Sequence, residues 1–144
     1  MTAIREQIFA AVETRLAAII SPAVAEVVRM PSGDPSRFPA LFIFDQGDRP
    51  AEEEEETDTM AFVMSLGIDG FVNGDAPHSA ANALYSAVVE ALFPQPVLGG
   101  LATEIRVSRL DMAVAETARD HRLGFALELT ILYHTRFGEP QEPA

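Results

Sequence analysis

The chain predicts an α+β domain, in which two amphipathic helices lie on a five-stranded mixed or antiparallel sheet in the order α-β-β-β-α-β-β. Apolar residues recur every three to four positions at Ile4, Ile8, Val12 and Leu16, and again at Ala81, Leu84, Val88 and Leu92, which is helical spacing. Elsewhere the apolar residues alternate or run together over strand-length stretches, with Pro and Gly clusters between them. A helix stripe and a sheet face each need a partner to bury against, so the helices should cover the sheet.

Each element follows from its residues. The first helix runs from Ile4 to Ile20, with Thr2 as its expected cap and Ser21-Pro22 as its stop. Val24 to Met30 reads as a short strand closed by the turn Pro31 to Pro35. Ala40 to Phe44 is apolar without alternation, as in a strand covered on both faces. Asp45 to Asp58 reads as a polar loop, and Met60 to Asp69 as a central strand. Asp75 and Pro77 announce the second helix, which Pro94 and Pro96 end. Val97 to Leu101 is a turn, and Thr103 to Glu116 a strand with Ile105 and Val107 on one face. The last strand has Phe125, Leu127, Leu129, Ile131, Tyr133 and Phe137 on one face, and its hairpin with the strand before it has a tip at Thr117 to Arg122. Residues 1–138 are expected to form one domain, and 139–144, rich in Pro and Glu, a flexible tail.

Composition narrows the function. The chain has 144 residues, 48% hydrophobic and 22% charged, as in a globular domain rather than a disordered one. All ten cations are Arg, and the net charge is −12, which argues against a surface built to wrap nucleic acid. Absence of Cys removes disulfides, thiolate nucleophiles and Cys-based zinc sites. No apolar run is long enough to cross a membrane, and Glu6 and Glu13 interrupt the N-terminal apolar pattern as a signal peptide would not.

Motifs for chemistry are scarce. His78, His121 and His134 are not spaced as metal ligands, and His78 beside Ser79 points away from it on a helix. No dinucleotide, phosphate-loop or nucleophile-elbow motif occurs. Leu98, Gly99 and Gly100 form a structural turn that needs positive φ, because the order helix–glycines–strand is wrong for cradling a phosphate. Glu52, Glu53, Glu54, Glu55, Glu56 and Asp58 are the one concentrated feature. The loop around them carries eight acids against one Arg, −7 of the total −12. Carboxylates suit a hard divalent cation, but five consecutive glutamates lack the spacing of a calcium loop and read as a solvated, self-repelling segment. No cofactor is expected.

Five segments resemble the tail terminator (minor tail protein U-like, tail completion) proteins of long-tailed bacteriophages and gene transfer agents. They are the N-terminal helix with FPALFIFDQGDRP and its acidic loop; MAFVMSLGIDGFV; ALYSAVVEALF; VLGGLATEIRV with its "LGG" turn; and FALELTILYHTRFGEP with its Tyr-x-Thr and closing Glu-Pro. Together they span residues 1–140. The resemblance implies a structural virion protein at the head–tail junction, without catalysis. It implies a homo-oligomer, a hexameric ring that caps the head-proximal end of the tail tube, stops its growth and meets head-completion proteins. DNA would pass through the lumen unbound, with Glu52–Glu56 and Asp58 at lumen or rim, and no membrane would be involved. A charge of −12 per subunit agrees, since it repels phosphates. Contacts between subunits are expected through strands and loops, since Arg5, Glu13, Arg15 and Glu90 on the helices make poor interface cores. The alternatives are another neck or tail-tube component and, from a different class, a small α+β enzyme or binding domain such as a hotdog-like thioesterase. The enzyme needs an acid or His facing a pocket, whereas the second helix offers only Glu90 beyond its first turn.

Overall fold

The computed structural model describes residues 2–51, 58–112 and 123–144. Its order is α1 (Ile4–Ala17), β1 (Glu26–Arg29), β2 (Ala40–Pro50), β3 (Thr59–Phe71), α2 (Pro77–Leu92), a 3-10 turn (Val97–Gly100), β4 (Glu104–Met112), β5 (Leu123–Arg136) and β6 (Glu139–Pro143). The strands form one mixed sheet in the spatial order β1-β2-β3-β5-β4. β1 is parallel to β2, and every other pairing is antiparallel. This is the expected α+β class, with one strand more.

β3 pairs with β5 along its whole length, from Thr59 opposite Arg136 to Phe71 opposite Leu123. Alternation therefore sends Met64, Leu66 and Ile68 to the same side as Phe125, Leu127, Leu129, Ile131 and Tyr133. Leu41 and Ile43 of β2 extend that side, and both helix stripes close over it: Ile4, Ile8, Val12 and Leu16 from α1, Ala81, Leu84, Val88 and Leu92 from α2. Phe9 joins this core as well. The other side of the sheet carries short and half-buried residues such as Val63, Ser65, Thr130 and Leu132, with no helix over them among the described residues. Phe42 is the large buried side chain there, 4% exposed with its ring 4.9 Å from that of Phe71.

Several expectations are corrected. β2 does not stop at Phe44 but continues to Pro50, because Asp45, Asp48, Arg49 and Pro50 pair with β3 across a bulge. α1 ends at Ala17, where Ile19 packs on the core and Ile20 is left 86% exposed. Neither helix is capped by the side chain foreseen: Ala3 and Ala76 occupy the cap positions in place of Thr2 and Asp75, and Pro77 opens α2. Ile105 and Val107 do share the helix side of β4, opposite Ile131 and Leu129, although Val107 is 39% exposed; a bulge between Val107 and Arg109 then shifts the alternation, so that Leu110 packs on the core. Phe137 lies beyond β5 and is 67% exposed. Residues 139–143 form β6, which lies on the same edge of β5 as β4 because β3 fills the other edge. The expected tip at Thr117 to Arg122 lies outside the described residues.

Gly70 and Phe125 are direct partners across β3 and β5, and a Cβ on Gly70 would meet the Phe125 ring at 2.2 Å. The ring fills the place of the missing side chain. Gly70→Val therefore displaces a fully buried aromatic residue and lowers stability by about 1–3 kcal/mol, read from the shift in a urea unfolding midpoint.

Candidate functional site

One group of charged side chains gathers around α1. Strict alternation would put Asp45 and Asp48, three residues apart, on opposite faces of β2. The bulge inserts one residue between them, with Gly47 at φ +89°, and both carboxylates reach the helix side. Arg5 meets them there. Its Nη1 and Nη2 donate to Asp45 at 2.9 and 3.0 Å, and its Nη2 and Nε donate to Asp48 at 2.9 and 3.2 Å. Tyr133 of β5 donates its hydroxyl to Asp48 as well. A second fork lies beside it: Arg29 of β1 donates to both oxygens of Glu6 at 2.7 and 2.8 Å and stands 3.7 Å from Glu13. The Phe9 ring takes both guanidiniums, 5.5 Å from Arg5 and 5.3 Å from Arg29.

Bidentate charge-assisted bonds of this kind are the strong class, so α1 is clamped to β1, β2 and β5 rather than resting on apolar contact alone. The Arg29 fork holds Glu6 below the usual carboxylate range, and the Arg5 fork does the same for Asp45. Burial, then the bond to Asp48, raises the Tyr133 phenol. Arg5 and Glu13, expected only to make poor interface cores, are both engaged in these contacts within the chain. No sequence period marks this cluster, since its members come from three strands and a helix.

The candidate acidic loop is only framed by the structure. Glu52, Glu53, Glu54, Glu55 and Glu56 lie outside the described residues. At their borders, Ala51 N–H donates to Ala61 and Phe137 N–H donates to the Asp58 carbonyl at 2.8 Å. Asp58 is exposed, at the end of the sheet where β5 turns into β6. Among the described residues no group of three His, Asp or Glu is placed to hold a metal ion. His78 is exposed in the first turn of α2, while His134 Nδ1 lies 3.1 Å from Thr103 Oγ1. His121 lies outside the described residues.

The candidate turn sits between α2 and β4. Leu98, Gly99 and Gly100 have φ of +48°, +68° and +92°. The Leu98 side chain is buried, whereas both glycines are exposed with open space where a Cβ would go. Gly100 shares a small depression of about 210 Å³ with Ile4, Thr103 and His134. Asp58 is not among its walls, so the two candidate features line no common site there.

Two outcomes follow from these contacts. Arg5→Ala leaves Asp45 and Asp48 without their shared cation. Because Arg5 is partly exposed, the loss is about 1–2 kcal/mol at neutral pH. Asp45, held by Arg5, has a folded pKa below its unfolded one, so the contribution of this pair is present above the unfolded carboxylate range and disappears as pH falls through the lowered folded value. The gap between wild type and Arg5→Ala therefore narrows in acid, which melting curves from pH 7 to pH 2.5 measure. For the turn, changing Gly99 and Gly100 to Val costs about 1–2 kcal/mol per position through backbone strain, with no steric clash. Thermal melting of the two single variants reads this directly.

No protein-family model matches the chain, and no curated protein matches it. Among solved structures it is similar to the bacteriophage SPP1 gp17 protein, with 19% sequence identity, a TM-score of 0.46, and 89% of this chain covering 86% of that one. A likeness at this level carries no argument for fold or function.

Proposed function

We propose that the chain is a structural protein of a long-tailed phage or gene transfer agent particle, a tail terminator whose ring closes the head-proximal end of the tail tube. Support comes from the agreement between the segments that carry the family resemblance and the elements they form. FPALFIFDQGDRP is the approach to β2 and β2 itself through Pro50, although the sequence alone suggests a loop from Asp45. MAFVMSLGIDGFV makes most of β3, ALYSAVVEALF most of α2, VLGG the turn before β4, and FALELTILYHTRFGEP most of β5 and the start of β6. Each segment thus coincides with an element, in the same order. The role is mechanical. Subunits form a ring, no catalytic group is needed, and an acidic lumen lets DNA pass because like charges do not adhere.

Tail length is the test. Particles assembled without this protein should carry tubes of uncontrolled length without heads, and the added protein should appear as a ring at the tube end in electron micrographs. Tubes of normal length in its absence would remove the terminator reading, and a density inside the tube wall would favour a tube subunit. The ring reading has a charge signature too. Copies of Glu52–Glu56 approach one another in a ring, so assembly should rise with salt as the Debye length falls to about 10 Å at 0.1 M. Replacing the five glutamates with Gln should lower the salt needed for assembly and leave the melting temperature within about 2 °C, because a solvated run contributes little to the fold. Oligomer mass against salt concentration checks both points.

A further inference from the structure

The open side of the sheet repeats a pattern that matches itself in reverse. Strand register aligns Arg49 of β2, Val63 of β3, Leu132 of β5 and Glu104 of β4 in one row. All four line a groove of about 290 Å³, so their side chains share that side. The row is cationic at one end, apolar in the middle and anionic at the other, where Glu104 also accepts a bond from Arg106 of its own chain in the same groove. Turning a second copy by 180° about an axis that lies in the interface, parallel to the strands and between β3 and β5, brings the two open sides face to face. That rotation exchanges β2 with β4 and β3 with β5. Arg49 then faces Glu104 of the second copy at both ends, and Val63 faces Leu132 in the middle.

Neighbouring rows obey the same rotation. Ser65 and Thr130 are partners in one row and would face each other across the interface as a hydroxyl pair. Another row runs Phe44, Gly67, Glu128, Arg109. Rotation sets the Phe44 ring against the Arg109 guanidinium and the Glu128 carboxylate against Gly67. The amide of Gln46 lies over Gly67, 2.9 Å from where a Cβ would be, and supplies a donor to that carboxylate. Short side chains along β3 and β5 allow two sheets to approach to about 10 Å with their strands roughly aligned.

We infer that the open face of the sheet, centred on Val63 and Leu132, binds a second copy of this chain in a two-fold face-to-face pair. Charge and shape agree in three rows under one operation, as an isologous contact requires. Four strands and about eight residues along each make a patch on the order of 500 Å² in projection, at the small end of specific interfaces. The pair is accordingly weak and concentration-dependent. It stands independently of the ring reading, since it needs only two copies and uses no residue of the acidic run.

Sedimentation equilibrium over a range of protein concentration tests it, with melting curves as a check on folding. Wild type should show reversible doubling of mass, and Val63→Glu should abolish the doubling. Arg49→Glu should raise the dissociation constant about tenfold by setting two glutamates opposite each other, and Glu104→Arg should do the same with two arginines. The double exchange, Arg49→Glu with Glu104→Arg, should bring affinity back toward wild type. Either a mass unchanged by Val63→Glu or a double exchange no better than the single variants would overturn the pairing. A ring that survives Val63→Glu would leave the terminator reading intact.

Discussion

The antiparallel pairing of β3 with β5 is the constraint on which the other elements depend. It runs from Thr59 opposite Arg136 to Phe71 opposite Leu123, and its alternation divides the molecule into a covered and an open side. On the covered side, Met64, Leu66 and Ile68 meet Phe125, Leu127, Leu129 and Ile131 to make a floor broad enough for two helices. A shift of one residue would send that set to the open side and leave both helix stripes without a partner. The Phe125 ring over Gly70 adds a steric key to this register.

The two helices meet the floor differently. α2 presents a row of aliphatic residues and relies on burial, with Tyr85 edge-on to Phe125. α1 adds the forks of Arg5 and Arg29, which tie it to carboxylates on the strands and on itself. Hydrogen-bonded charge pairs are directional where apolar contact is not, so the forks orient α1 on its stripe. Their placement beside Phe9 lets one ring serve both cations while its own side chain stays in the core.

The open side and the acidic run divide the surface chemistry between them. Glu52–Glu56 concentrates negative charge in the connection from β2 to β3, while Arg49, Arg106 and Arg109 lie on the open side among Glu104, Asp111 and Glu128. A mixed-charge face with an apolar centre suits contact with protein, whereas a block of like charge suits repulsion.

The sequence by itself determined the elements whose signal is local. Alternation from Phe125 to Tyr133 and the helical spacing of Ala81, Leu84, Val88 and Leu92 depend only on neighbouring residues, and both predict the buried face that the structure shows. Leu98-Gly99-Gly100 was legible as a turn for the same reason, because glycine following proline-ended helix residues is a local cue. Tertiary structure decided what depends on pairing. The bulge that brings Asp45 and Asp48 to one face, the shift at Ser108 that turns Leu110 to the core, and the addition of β6 all arise from register between strands far apart in the chain. The clamp of Arg5 with Asp45, Asp48 and Tyr133 joins residues separated by up to 128 positions of sequence, from α1 to β5. No periodicity reports a contact of that span, since periodicity records which way a side chain points and not what it will meet.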